Sequence, residues 1–276
     1  MSSSGDSKNK IWIYAAAGVG LLVGAAYLFH SLSSSKEESS GHLSQLIADV
    51  EALGPPKRDP NGLLNFVYYK DLFCVIQKHT KAVFAEEKAA LLKQRREYLR
   101  AGNTAEYRDI VKTMIEKEEQ KGMELMQDVM EHLNISEQEF GQTHGTYMQN
   151  PQTQQMLMSA QFTKAPGGAA PKLLKQKTKE IFLDSEEKKF ETMKEMMGRE
   201  QEMQSQDPMQ QMLDMMVEQA KLSDDMFERH GVDEEEFNHA MIHYNLMHDK
   251  EVQAKVMENM RKLGFGGQGM GGMGGF

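Results

Sequence analysis

The sequence predicts an all-α protein: a single N-terminal transmembrane helix followed by a tandem duplication of a four-helix unit. Three observations carry that expectation. Residues 11–29 form an uncharged apolar run, the rest of the chain is polar and helix-patterned, and two stretches nearly a hundred residues apart repeat one another. Composition agrees, because 23 Met against one Trp and 8% aromatic residues suits long helices better than sheets.

The anchor comes first. Ile11 to Phe29 reads IWIYAAAGVGLLVGAAYLF, and as a helix it would be about 28 Å long, close to a bilayer's hydrocarbon thickness. Trp12, Tyr14 and Tyr27 stand near its ends, where amphipathic rings favour the headgroup region. A cleaved signal peptide would have a shorter core and a small-x-small site. The segment His30 to Ser35 matches such a site poorly, so an uncleaved anchor is expected. Ala16, Gly20 and Gly24 give one face small enough for close helix packing and homo-association in the bilayer. Gly18-Val19-Gly20 is no dinucleotide turn: lysines precede it and a serine tract follows, where that motif needs a strand, a helix and a later acid. Lys8 and Lys10 before the run, against Lys36 after it, lean the N-terminus to the inside.

The Ser-rich, acid-poor leader 1–10 followed by a Gly/Ala-rich span resembles the signal anchors of mitochondrial outer-membrane proteins. That resemblance implies a body facing the cytosol. An inner-membrane anchor, or one in the endoplasmic reticulum, stays open beside it.

Bulk properties exclude several classes. A net charge of −9 offers no basic stripe for nucleic acid. One cysteine, Cys74, rules out an internal disulfide framework, and its apolar neighbours Leu72 to Ile76 read as a packed core. The sequon Asn134-Ile135-Ser136 matters only in a secretory compartment.

The duplication organises the body into repeat 1 (63–164) and repeat 2 (172–263), joined by the Pro/Gly/Ala linker 165–171. Val75 to Phe84 (VIQKHTKAVF) aligns with Leu173 to Phe182 (LLKQKTKEIF) at an offset of 98. Glu131 to Phe140 (EHLNISEQEF) aligns with Glu228 to Phe237 (ERHGVDEEEF) at 97, and Tyr147 meets Tyr244. Both copies then predict the same helix start. Ser136 or Asp233 caps, Glu139 or Glu236 stands three residues on, and Ile135/Phe140 or Val232/Phe237 bracket the cap as a hydrophobic staple.

Helices are expected near 63–101, 104–133, 137–149 and 151–162, then 172–205, 208–230, 234–247 and 250–263. Gly102-Asn103 breaks the first pair, and Asn150-Pro151 and Asp207-Pro208 each place a cap before Pro. A stalk and linker, 30–62, carries a short amphipathic helix at 43–53. The tail 264–276 is Gly-rich with scattered Met and reads as disordered.

Chemistry is hard to find. His239 and His243 lie four apart with Glu235, Glu236 and His248 nearby, a spacing that can share a metal. Repeat 1 has Gln142 and Thr146 in their places and no H-E-x-x-H occurs, so a polar surface is expected and no metal or cofactor. Glu86, Glu87, Glu116, Glu118 and Glu119 among Lys88, Lys112, Lys117 and Lys121 read as a solvated face laced with weak pairs. No residue is expected to be catalytic.

Methionines remain. Met193, Met196, Met197, Met209, Met212, Met215 and Met216 recur at helical spacing. Such side chains either fill a small core or adapt to irregular apolar partners. The stretches Met148 to Met158, Gln206 to Met216 and His248 to Met260 resemble the Asp/Asn-Pro, Gln/Met-rich helices of STI1-type modules in co-chaperones and ubiquilins. That resemblance implies a groove for apolar client segments; the third stretch has Lys250 where the proline should stand. Two functions follow as expectations. One is a non-enzymatic, single-pass membrane protein whose duplicated body assembles with other subunits. The alternative is a membrane-tethered co-chaperone or targeting factor.

Overall fold

The structure, a computed structural model, describes residues 40–162, 170–198 and 208–263. The chain divides into two compact units, 1–161 and 162–276. The described residues form helices, with one isolated antiparallel bridge between Arg58 and Leu64 and no strand.

One part of the expected architecture is corrected. Among the described residues no helix is long and apolar enough to cross a membrane. The long helices have the length but carry charged residues on nearly every turn. What stands is the all-α body. The run 11–29, with Ala16, Gly20 and Gly24, lies outside the described residues, as do the leader 1–10, most of the 165–171 linker and the tail 264–276.

The first unit is built from α1 (Ser40–Glu51), α2 (Phe66–Ala101), α3 (Thr104–Leu133), α4 (Glu137–Gln149) and α5 (Pro151–Phe162). Helix α2, 36 residues long, extends about 54 Å. Asn65 caps it by accepting from Val67 N at 3.0 Å. Helices α2 and α3 pair as an antiparallel hairpin around Gly102-Asn103, and α1 lies against both. The core gathers Leu46 and Val50 of α1, Tyr69, Leu72, Phe73 and Ile76 of α2, Leu125 and Val129 of α3, Phe140 of α4 and Leu157 of α5. Further along the hairpin Phe84, Tyr107, Ile110, Val111 and Met114 are buried outside that cluster.

The second unit carries α6 (Lys175–Gly198), α7 (Pro208–His230), α8 (Glu234–His243), a single 3-10 turn (Leu246–His248) and α9 (Lys250–Lys262). Its core gathers Ile181 and Phe182 of α6, Met226 of α7, Phe237 and Met241 of α8, Leu246, and Val252 of α9, with Val232 before α8. The expected helix 234–247 splits at Asn245, whose left-handed backbone (φ 50°) ends α8 and starts the 3-10 turn.

The staple forms in both units: Ile135 and Phe140 are buried, and so are Val232 and Phe237. The capping device does not repeat. Ser136 Oγ accepts from Glu139 N at 3.1 Å, whereas Asp233 makes no side-chain cap bond. Nor does Glu139 fold back on its cap, because Arg58 takes it: Nε donates to Oε1 at 2.6 Å and Nη2 to Oε2 at 3.1 Å. The turn before each staple is left-handed in both units, with Asn134 at φ 52° and Gly231 at φ 67°.

The repeat register of the first long helix is corrected too. Tyr147 Oη donates to Leu64 O at 2.8 Å and Tyr244 Oη donates to Leu173 O at 2.9 Å. The tyrosines are 97 apart but the leucines are 109 apart. Lys70-Asp71-Leu72-Phe73 therefore corresponds to Lys179-Glu180-Ile181-Phe182, and the alignment at 98 is displaced by eleven residues. Eleven residues make about three helical turns, so both registers point the same apolar face inward. Periodicity could not tell them apart.

Candidate binding surface

In the first unit α4 is seated on α2 through aromatic rings. Tyr69 lies 5.6 Å from Phe140 and 5.5 Å from Tyr147 between ring centroids, and stacks on Phe73 at 5.9 Å. Inside this cluster the Tyr69 hydroxyl meets His144 Nδ1 at 2.5 Å. Both side chains are buried. Burial pushes the tyrosine well above its ordinary range and holds the imidazole below its own. The pair is thus neutral and shares one proton across the contact, the imidazole tautomer deciding which side donates. The second unit replaces it by Thr178 and Met241, so the shared plan does not need it. Sequence reasoning missed this pair. The available signal was His144 one turn beyond the staple residue Phe140, on the inward face.

Helix α1 is held by ions as well as by its leucine and valine. Asp49 Oδ2 accepts from Lys78 Nζ at 2.7 Å and lies 2.9 Å from His79 Nε2, while Gln45 donates to Oδ1 at 3.0 Å. Lys78 first, then His79 and Gln45, hold the Asp49 carboxyl far below the usual carboxylate range. Glu51 lies 3.2 Å from His132 Nε2 on α3.

The second unit has a comparable network between α6 and α7. Asp184 of α6 accepts from Arg229 Nη1 at 2.5 Å and lies 2.6 Å from His230 Nε2, and Arg229 Nη2 reaches Asp225 at 2.8 Å. Lys179 joins α6 to the start of α9 through Asp249 (2.9 Å) and Glu251 (2.7 Å). Asp249 also caps α9, accepting from Glu251 N and Val252 N.

The predicted site residues fall as follows. Met193, Met196 and Met197 lie on α6, and Met209, Met212, Met215 and Met216 on α7. Met193, Met212, Met215 and Met216 are half-buried and stand outside the second unit's core cluster. Among the described side chains the buried methionines are Met114, Met130, Met226 and Met241. Met212, Met215 and Met216, spaced three and four apart, share one face of α7.

His239 and His243 have ring centroids 6.3 Å apart, edge to face, and His243 meets the Tyr244 ring at 4.9 Å. Among the described residues no group of three His, Cys, Asp or Glu could hold a metal. Glu87 pairs with Lys117 across the α2–α3 hairpin, and Lys112 with Glu116 at 3.7 Å. Burial, with Glu116 and Glu118 adding to it, pushes the Glu119 carboxyl up. Cys74 is half-buried, and burial raises its thiol above the ordinary range.

Comparison with known proteins adds no family: no family model matches the chain, and neither curated proteins nor solved structures give a significant match. The described residues define an all-α protein of two helical units, the second carrying methionines along α6 and α7.

Proposed function

We propose that this chain is a non-catalytic interaction and assembly module, in which the α6–α7 hairpin of the second unit receives an apolar segment of a partner subunit. The observation that carries this reading is the place of Met212, Met215 and Met216, half-buried on one face of α7 and outside the core that holds the unit together. Unbranched thioether side chains fit irregular apolar surfaces without demanding one shape. A second reading has the same support: the hairpin accepts many apolar client segments, as the resemblance of Gln206 to Met216 to STI1-type helices implies.

A photo-crosslinking side chain at Met212 or Met216 separates the two. One stoichiometric partner that co-purifies, and is lost in Met212→Asp/Met216→Asp while the second unit stays folded, supports assembly. A heterogeneous set of apolar segments supports the client reading. Intramolecular crosslinks alone, from a chain that purifies without a partner, would refute both.

A further inference from the structure

We infer that Asn61 is a self-modification site: the main-chain nitrogen of Gly62 attacks its side-chain amide, and the isoaspartyl residue that forms loosens the joint seating α2 and α4 of the first unit. This goes beyond the proposed function and stands on other residues.

The chemistry is set by the pair. In mildly alkaline water the Gly62 amide loses its proton and its nitrogen bonds to Asn61 Cγ. The Cγ–Nδ2 bond breaks, Nδ2 takes up a proton and leaves as ammonia, and residues 61 and 62 close into a cyclic imide. Water then opens the ring. Addition at Cγ breaks the new bond and leaves aspartate. Addition at the main-chain carbonyl breaks the original peptide bond and leaves isoaspartate, whose chain runs on through Cβ and Cγ. Water is the only co-reactant, and nothing is oxidised or reduced.

The attacking nitrogen must be uncrowded, and Asn61 is the one asparagine of this chain followed by glycine. Asn134 precedes the β-branched Ile135, and Asn150 precedes Pro151, which has no N–H to lose. The fold presents the pair as well. Asn61 and Gly62 are exposed in the loop between α1 and α2, and nothing lies within 4 Å of where a Gly62 Cβ would stand. Leu63 N donates to Asn61 Oδ1 at 3.2 Å, which draws the side-chain carbonyl over the main chain that attacks it and polarises it. One bond opposes the reaction: Gly62 N donates to Asp59 O at 2.9 Å. An exposed turn of this kind opens far more often than the helices around it.

The consequence follows from what the loop holds. Asp59 N donates to Leu63 O at 2.8 Å, Asn65 N to Lys57 O at 2.7 Å, and Arg58 bridges to Leu64. Leu64 N donates to Thr143 Oγ1 at 3.2 Å and Leu64 O accepts from Tyr147 Oη at 2.8 Å, both on α4. The next residue, Asn65, caps α2. Isoaspartate adds a methylene to the main chain between Asp59 and Leu63, so these rungs cannot all keep their register. The bonds from Leu64 to α4 and the cap of α2 loosen together.

The test ages the full chain in mildly alkaline buffer and maps it by mass spectrometry. Asn61 should become a mixture of aspartate and isoaspartate at least about tenfold faster than Asn134, and an isoaspartyl methyltransferase should label that peptide. Hydrogen exchange of the aged chain should rise about tenfold at the first turn of α2 and around Tyr147, and stay unchanged in the second unit. Asn61→Ser, which keeps an oxygen for Leu63 N and has no amide to lose, should age without either change. Fresh Asn61→Asp, which adds the charge but no methylene, should exchange like the fresh wild type. The inference is overturned if Asn61 of the folded chain reacts no faster than Asn134, or if isoaspartyl chains exchange as fresh ones do. It is overturned too if fresh Asn61→Asp is already loosened, since charge would then be the cause. None of these outcomes touches the methionine face of α7, so the two proposals fail separately.

Discussion

Replacing Tyr69 by Phe tests whether the buried Tyr69–His144 bond is a real energetic unit. The substitution keeps the ring and its contacts with Phe73, Phe140 and Tyr147 and removes only the hydroxyl bonded to His144 Nδ1. Tyr69 is fully buried and His144 is 9% exposed, so Nδ1 is left without its partner and the cost should be about 1–3 kcal/mol. His144→Met alone, which installs the residue the second unit holds at Met241, strands the Tyr69 hydroxyl at a similar cost. Together the two changes remove both polar groups, and most of the loss should return, a coupling of about 1–2 kcal/mol.

Urea titration read by hydrogen exchange over α2 and α4 is the suitable assay, because a chain of two units has no single unfolding free energy. The pH dependence supplies a second readout. Burial lowers the His144 pKa in the folded state, so the unfolded chain takes up this proton first. The stability that rests on the buried neutral imidazole is fully present above about pH 6.5 and falls by at most about 1.4 kcal/mol per pH unit below it, until the folded imidazole also titrates. That slope should vanish in the double variant. A double variant as unstable as the sum of the single ones, or one that keeps the wild-type slope, would refute the reasoning.

Three further outcomes are expected. Gly231→Ala should destabilise the second unit by about 1–2 kcal/mol through its left-handed backbone alone, since an added Cβ meets nothing within 4 Å. Gly231→Asn should cost less than half of that, and urea midpoints compare the two. Tyr147→Phe and Tyr244→Phe should each cost about 0.5–1.5 kcal/mol and loosen the start of α2 or α6 in its own unit only; exchange at the first turns of those helices reports it. Because Lys78, His79 and Gln45 depress the Asp49 carboxyl in the folded state, its hold on α1 is present above the unfolded value of about pH 4 and is lost as pH falls below it. Asp49→Asn should remove that acid-induced release of α1 when exchange is followed from pH 6 to 3.

Periodicity and punctuation made most of the helices legible. The expected 104–133, 137–149 and 151–162 are the observed α3, α4 and α5, because Gly102-Asn103, the Ser136 cap and Asn150-Pro151 act on backbone within one turn of themselves. The methionine stripe was legible as a stripe. Which methionines fill the core was not, since a repeat of three and four residues states that a face exists and says nothing of what covers it.

By itself the sequence determined the all-α class, the helix boundaries around Gly102, Ser136, Asn150 and Asp249, and the paired staples of Ile135/Phe140 and Val232/Phe237. These rest on interactions between residues close along the chain. Tertiary structure alone decided the eleven-residue shift between α2 and α6, the diversion of Glu139 from its cap to Arg58, the Tyr69–His144 bond and the seating of α1 on Lys78, His79 and His132. Each depends on groups roughly 30 to 80 residues apart meeting in space, and a helical repeat is blind to any displacement by whole turns.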